Sequence, residues 1–80
     1  MSAMFEVYYR APADLAKETT LTTSVGGLGG RLSYREVAEN DDEHGICLTF
    51  EFDDPSQAEL AAQKLRQQGE HVEGPSDYGD

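Results

Sequence analysis

The two histidines of this chain, with the carboxylates beside them, are the residues whose types most readily suggest chemistry. His44 follows the acidic run at positions 41–43, and His71 follows Glu70. Imidazole and carboxylate groups bind divalent metals. However, the chain has no close His–His or Cys–His spacing of the kind that structural zinc sites use. The acidic run also lacks the alternating ligands and central glycine of a calcium loop. We therefore expect no metal or other cofactor, and His44 and His71 are only weak candidates for ligands.

Cys47 is the single cysteine, and a thiol acts as a nucleophile only where a base or a cation lowers its pKa. It alternates with Ile46, Leu48 and Phe50, which predicts a strand that has Cys47 on the face opposite those apolar residues. This pattern is typical of a partly buried structural thiol. A lone cysteine makes no internal disulfide, which favours a cytoplasmic protein.

The glycine-rich run at positions 26–30 suggests a phosphate-binding loop. Such a loop follows a strand and opens a helix, so that its amide groups face the anion. Here the run is predicted to end a helix and begin a strand, and no lysine follows it in the Walker pattern. The paired Asp53 and Asp54 are explained as negative charges at a helix start. We predict no catalytic residue in this chain.

The net charge of −10 is unevenly distributed along the 80 residues. Residues 1–40 have five acidic and four basic side chains, whereas residues 41–80 have eleven acidic and two basic ones. Such a field repels phosphate backbones, so we expect no nucleic-acid partner. The acidity is typical of a small domain kept soluble by its charge, or of one that docks on a basic partner.

The elements that must position these residues form a weak internal repeat. Residues 5–11 and 48–54 are β-rich runs that each meet a proline, and a helical segment, glycine and another extended run follow in both cases. In the second unit Asp54 is the expected N-cap, and Gly69 is expected to end the helix. A short strand at positions 71–73 is then predicted to end at Gly74-Pro75.

Two segments of the first unit allow two interpretations. Leu21, Val25 and Leu28 have helical spacing, but four threonines and the glycines at positions 26 and 27 disfavour a helix. Local propensity would also allow residues 18–25 to form a strand in a hairpin with residues 31–38. We predict a helix because it completes the repeat. Residues 33–36 match a capping box, and residues 31–38 also alternate as a strand does. We predict a strand, because a hairpin with the strand at Ile46 explains the intervening loop.

Two strand–helix–strand units predict an α+β ferredoxin-like fold, βαββαβ, with both helices on one face of a four-stranded antiparallel sheet of order 4-1-3-2. We expect one domain over residues 1–74 and a short acidic tail over residues 75–80. The core of so small a domain is thin, which makes self-association plausible. No export signal and no apolar segment of ~18–20 residues is found, so we expect a cytoplasmic protein and no membrane contact.

The sheet face without helices is the predicted working surface. It is predicted to carry Ser33 together with the candidate site residues Glu6, Tyr8, Arg35, Cys47, Thr49 and Glu51. One tyrosine among carboxylates does not fit the stacked aromatics of an RNA-binding sheet. We expect a non-enzymatic binding or regulatory module that acts through this face as a homodimer. The alternatives are an acidic protein that docks on or antagonises a basic partner, and a small dimeric enzyme with a cleft near Tyr8, His44 or His71.

Overall fold

The computed structural model describes residues 2–10, 12–37 and 45–78 and contains two strand–helix–strand units. The elements are β1 (Ser2–Tyr9), α1 (Leu15–Gly26), β2 (Gly30–Val37), β3 (Ile46–Phe52), α2 (Pro55–Gln67) and β4 (His71–Tyr78). The strands form one antiparallel sheet in the order β2-β3-β1-β4. The predicted ferredoxin-like topology and strand order are thereby confirmed. Neither helix of the described residues is long and apolar enough to cross a membrane.

The core lies between the two helices and one face of the sheet. Three phenylalanine rings meet at its centre, with ring centroids 5.8 Å apart for Phe5 and Phe50 and 5.5 Å apart for Phe5 and Phe52. The side chains that surround them are equally buried and come from every element except β2 and β4: Ala3, Val7, Leu21, Val25, Ile46, Leu48, Ala58, Ala61, Ala62 and Leu65. The three small alanines let the backbone of α2 lie close to the sheet.

The segment α1 is a helix although four of its twelve residues are threonine. Each threonine costs up to ~0.7 kcal/mol of helix propensity relative to alanine. Leu21 and Val25 lie one turn apart and are both buried, and burial of each such side chain contributes ~1.5–3 kcal/mol. Asp14 caps the helix by accepting a hydrogen bond from the Lys17 amide at 3.0 Å. Tertiary burial therefore outweighs local propensity, and the predicted helix over residues 18–25 is confirmed.

The ends of α2 follow from its sequence. The Asp54 carboxylate accepts a hydrogen bond from the amide two residues later at 2.9 Å, as an N-cap does. Gly69 has φ +93°, and its amide donates to the carbonyl of Arg66 at 3.0 Å. The Glu70 amide returns to the carbonyl of Leu65 at the same distance. This pair of bonds is the Schellman motif, which requires a left-handed residue where the sequence has glycine.

The strand β2 contains a β-bulge at Ser33. Leu32 lies opposite Phe50, whereas Tyr34 already lies opposite Thr49, so two residues of β2 advance against one residue of β3. Side chains alternate between the two faces of a strand, and one extra residue reverses that alternation for everything after it. The bulge therefore decides which side chains of β2 face the helices.

The strand β4 continues through Gly74 and Pro75 to Tyr78, whose backbone lies opposite Ser2 of β1. The register of the two strands shifts at the Gly74-Pro75 step. Proline is tolerated in edge strands and at irregularities of this kind, because its missing amide hydrogen is not needed there. The predicted end of the strand at Gly74-Pro75 is therefore wrong, and residue 75, where the acidic tail was predicted to begin, lies inside β4.

Candidate functional site

The sheet surface opposite the helices is formed by rows of side chains that run across the strands, and we call it the free face. Directly opposed residues of antiparallel strands point to the same face, so the register defines the rows. The rows are Glu36, Cys47, Tyr8 and His71; Tyr34, Thr49, Glu6 and Glu73; and Arg31, Glu51 and Met4. The free face thus brings together five of the six predicted site residues: Glu6, Tyr8, Cys47, Thr49 and Glu51. Their role in binding stays a prediction.

Tyr8 lies in the middle of the free face. Its ring meets the imidazole of His71 edge-on, with ring centroids 5.7 Å apart. Desolvation raises the pKa of the Tyr8 phenol to about 12, and the neighbouring Cys47 and Glu6 contribute to the rise. The phenol is therefore neutral at physiological pH. It offers an aromatic ring and a hydrogen-bonding hydroxyl, and it is not a general base.

Cys47 lies beside Tyr8 and is partly buried. Its Sγ donates a long hydrogen bond to Oε2 of Glu6, with the two atoms 3.7 Å apart. Burial raises the pKa of the Cys47 thiol, and the negative charge of Glu6 also raises it. A thiol that keeps its proton at neutral pH is a poor nucleophile. This environment agrees with the structural interpretation of Cys47.

The register of β1 and β4 places two carboxylates of the free face at directly opposed positions. Glu6 of β1 and Glu73 of β4 are directly opposite each other, and like charges in this position destabilise a sheet. Glu51 has a cationic partner, since its Oε1 lies 3.2 Å from Nη2 of Arg31. With histidine neutral, the described free face has a formal charge of −3 from one guanidinium and four carboxylates, those of Glu6, Glu36, Glu51 and Glu73.

Arg35 does not lie on the free face, and the prediction that placed it there is wrong. Because the bulge at Ser33 reverses the alternation, Arg35 lies opposite Leu48 on the side of the helices. Its guanidinium binds the carboxylate of Glu18 in α1, with Nε 2.6 Å from Oε1 and Nη2 3.1 Å from Oε2. The charge of Arg35 is thus satisfied within the chain.

The carboxylate of Glu18 joins three elements. Its side chain is only 9% exposed, and it accepts hydrogen bonds from Arg35 of β2 and from the hydroxyl of Tyr9 in β1. The Tyr9 hydroxyl itself accepts a hydrogen bond from the Asp14 amide at 2.9 Å. The hydrogen bonds from Arg35 lower the pKa of Glu18 against the opposing effect of burial, and Tyr9 lowers it further. Both carboxylate oxygens of Glu18 and the Tyr9 hydroxyl already have partners, so we interpret the cluster as a clamp that holds α1 on the sheet.

An open groove of ≈ 520 Å³ runs between α1 and β2 around this ion pair. Its walls are mostly apolar and hydroxyl side chains, together with Glu18 and Arg35: Leu15, Thr19, Thr22, Thr23 and Leu32. Leu15 and Leu32 are 69% and 39% exposed. Every residue of β2 after Gly30 is exposed, because α1 covers this edge of the sheet incompletely.

No protein-family model matches this chain, and no curated protein is significantly similar to it. A function must therefore be inferred from the geometry of its own residues.

The described residues do not form a metal site around the two candidate ligands, His44 and His71. His44 and the acidic run at positions 41–43 lie outside the described residues, and His71 lies on the free face beside Tyr8. Within residues 2–10, 12–37 and 45–78, no three side chains of His, Cys, Asp or Glu form a group that could hold a metal ion. The glycine run ends α1 and begins β2, as expected from the sequence.

The clamp formed by Glu18, Arg35 and Tyr9 was not predicted, although the sequence contains part of the signal. Glu18 lies three residues before Leu21 and seven before Val25, which places it on the apolar stripe of α1. A carboxylate on a buried stripe needs a cationic or hydrogen-bonding partner, since an unpaired buried charge is costly. The identity of that partner depends on the bulge in β2.

Proposed function

We propose that this chain is a small, non-enzymatic, cytoplasmic binding module whose free face binds a positively charged segment of another protein. The observation that carries the proposal is the placement of Glu6 directly opposite Glu73. Two opposed carboxylates reduce the stability of the sheet, and local features that oppose folding are expected at functional surfaces. A lysine or arginine side chain between these two carboxylates relieves their repulsion.

Tyr8 supports the same kind of partner. It is next but one to Glu6 along β1, so its side chain lies on the same face one row away. The face of a tyrosine ring attracts a cation by ~0.5–1 kcal/mol at an exposed site. The charge of −3 on the free face also steers a basic segment toward it and repels nucleic acid. The protonated thiol of Cys47 agrees with a binding role because it is a poor nucleophile.

The same charges make the free face a poor surface for self-association. Two copies that met through it would bring two surfaces of −3 together, and like-charge contacts disfavour association. We therefore propose that the free face is reserved for a basic partner. The homodimer expected for a domain with a thin core then needs another surface.

A fluorescently labelled oligolysine peptide tests the proposal. We expect saturable binding by fluorescence anisotropy that weakens steeply as salt is added, because exposed charges are screened. Amide chemical shifts of β1, β3 and β4 are expected to change on titration, with the largest changes near Glu6, Tyr8 and Glu73. Shift changes confined to α2, or binding that is insensitive to salt, would contradict the proposal.

A pair of matched variants separates the free face from acidity in general. Glu6→Gln and Glu59→Gln each remove one negative charge, but Glu59 is exposed on α2, away from the free face. We expect Glu6→Gln to weaken peptide binding by up to about fivefold, since an exposed ion pair contributes ~0.2–1 kcal/mol. Glu59→Gln is expected to have a much smaller effect. Equal effects of the two variants would mean that the peptide responds only to net charge.

A further inference from the structure

The two edges of the sheet differ in how they are protected from pairing with another strand. At the β4 edge, the guanidinium of Arg66 donates to the backbone carbonyls of Val72 and Gly74. Pro75 in the same strand has no amide hydrogen. Occupied carbonyls and proline are features that hinder strand addition. The β4 edge is therefore closed to a further strand.

The β2 edge has no comparable cover within the described residues. β2 pairs with β3 alone, and it extends over eight residues. Three of its large apolar or aromatic side chains are exposed: Leu32, Tyr34 and Val37 at 39%, 59% and 44%. Leu15 of α1, which lines the adjacent groove, is 69% exposed. A long edge strand flanked by exposed apolar side chains is typical of a surface that pairs with another strand.

Because of the bulge, two antiparallel copies of β2 could pair with each other and keep opposed side chains on the same face of the sheet. Residues 30, 32, 35 and 37 lie on the helix side, and residues 31, 34 and 36 lie on the free face. A two-fold axis between residues 33 and 34 would pair 30 with 37, 31 with 36 and 32 with 35. Each of these pairs has both members on the same side of the sheet, as antiparallel pairing requires. The pairing uses all eight residues of the strand.

The charges of β2 are complementary in this same register. Arg31 of each copy would lie opposite Glu36 of the other, on the free-face side, so the two-fold axis creates the pair twice. On the helix side, Leu32 would lie opposite Arg35 and diagonal to Val37 of the second copy. That arrangement covers the exposed apolar side chains that border the groove. Opposed unlike charges and apolar diagonal contacts both stabilise neighbouring strands.

We infer that the β2 edge is the docking surface for a second copy of this chain, through antiparallel β2–β2 pairing about a two-fold axis between Ser33 and Tyr34. The sheets of the two copies join into one sheet of eight strands. The helices of both copies lie on the same side, and both free faces stay uncovered on the other. The pairing uses the backbone edge of β2 together with Arg31 and Glu36 at the rim of the free face, whereas the basic partner is proposed to bind between Glu6 and Glu73, so either proposal can fail without the other.

Charge-swap variants of the full chain, with absolute mass measured by light scattering at micromolar concentration, test the inference. The unmodified chain is expected to have twice the chain mass. Glu36→Arg and Arg31→Glu each replace two attractive contacts by two repulsive ones, which we expect to raise the dissociation constant about tenfold or more. Glu36→Arg leaves the contacts of Arg31 with Glu51 and Asp53 intact, so it separates dimer loss from misfolding. The double variant R31E/E36R is expected to recover the dimer.

Mixing the two single variants gives the sharpest result. In a mixed pair, residue 31 of each copy again meets an opposite charge at residue 36 of the other. We expect two chains that are monomeric alone to form a heterodimer when combined. Leu32→Lys should also dissociate the dimer, whereas Leu60→Lys, at an exposed leucine of α2, should not. A monomeric unmodified chain, or a dimer whose mass is unchanged by Glu36→Arg and Leu32→Lys, would overturn the inference.

Discussion

The guanidinium of Arg35 and the carboxylate of Glu18 form a two-point ion pair, with Nε 2.6 Å from Oε1 and Nη2 3.1 Å from Oε2. Parallel hydrogen bonds of this kind fix the relative orientation of the two groups as well as their distance. The pair connects β2 to α1, and Tyr9 connects the same carboxylate to β1. A separate ion pair between Lys17 and Glu70, with the charged atoms 3.0 Å apart, connects α1 to the segment that precedes β4. The position of α1 on the sheet is thus set by polar contacts as well as by the core.

The Glu18 clamp makes stability depend on pH in the acidic range. Because its folded-state pKa is lowered from the ordinary 4.5, Glu18 contributes stability that is fully present above that value. The contribution is lost as pH falls below 4.5 and through the lowered folded-state value. We expect Glu18→Gln to lower the melting temperature by several degrees at pH 7. Thermal melts from pH 7 to pH 2 should show the two proteins converging below pH 4.5, and a constant difference would contradict this role of Glu18.

The repulsion between Glu6 and Glu73 makes Glu73→Gln a stabilising substitution. Removal of one of two opposed like charges is expected to add ~0.2–1 kcal/mol to the free energy of unfolding. Part of this gain is offset, because Glu73 also lies 3.2 Å from Nε2 of His71. Urea denaturation at low salt measures the change, with Glu59→Gln as the control for net charge. A loss of stability in Glu73→Gln that Glu59→Gln does not share would show that the contact of Glu73 with His71 outweighs its repulsion from Glu6, which contradicts the prediction.

Tyr8 should be detectable as a phenol that ionises late. With its folded-state pKa raised to about 12, Tyr8 favours the folded state fully below pH 10, and this contribution is lost as pH rises from 10 to 12. Absorbance at alkaline pH follows the ionisation of the four tyrosines. Burial and the hydrogen bond to Glu18 also raise the pKa of Tyr9, so we expect Tyr8→Phe to reduce the late absorbance change by one phenol. Tyr34→Phe, which removes a phenol from the same face, should leave that late change in place.

Gly30 begins β2 in a space too small for any side chain. A Cβ at this position would lie 2.4 Å from atoms of both Phe52 and Val25, whose side chains are buried. We expect Gly30→Ala to lower the free energy of unfolding by ~1–3 kcal/mol, the usual range for overpacking. Gly26→Ala is the matched control, since a Cβ there meets nothing within 4 Å. It should be neutral or stabilising in calorimetric melts, and equal losses in both variants would exclude a steric cause at Gly30.

The ends of α2 and the buried face of β3 follow from short-range features of the sequence. Asp54 and Gly69 delimit α2 because capping and left-handed conformations depend on a few neighbouring residues. The alternation of Ile46, Leu48 and Phe50 predicts a strand and its buried face, because the period of a strand is local too. The internal strand–helix–strand repeat correctly predicts a helix for residues 18–25.

Only the tertiary structure decided which side chains share a surface around β2 and how far β4 extends. The extra residue at Ser33 is visible only in the register against β3, and it moves Arg35 from the predicted free face to Glu18. Likewise, β4 passes through Gly74-Pro75 because pairing with β1 resumes beyond that step. Both outcomes depend on backbone contacts between segments that are distant in the chain. Composition and periodicity describe each segment alone, so they determine the elements but not the register that brings functional side chains together.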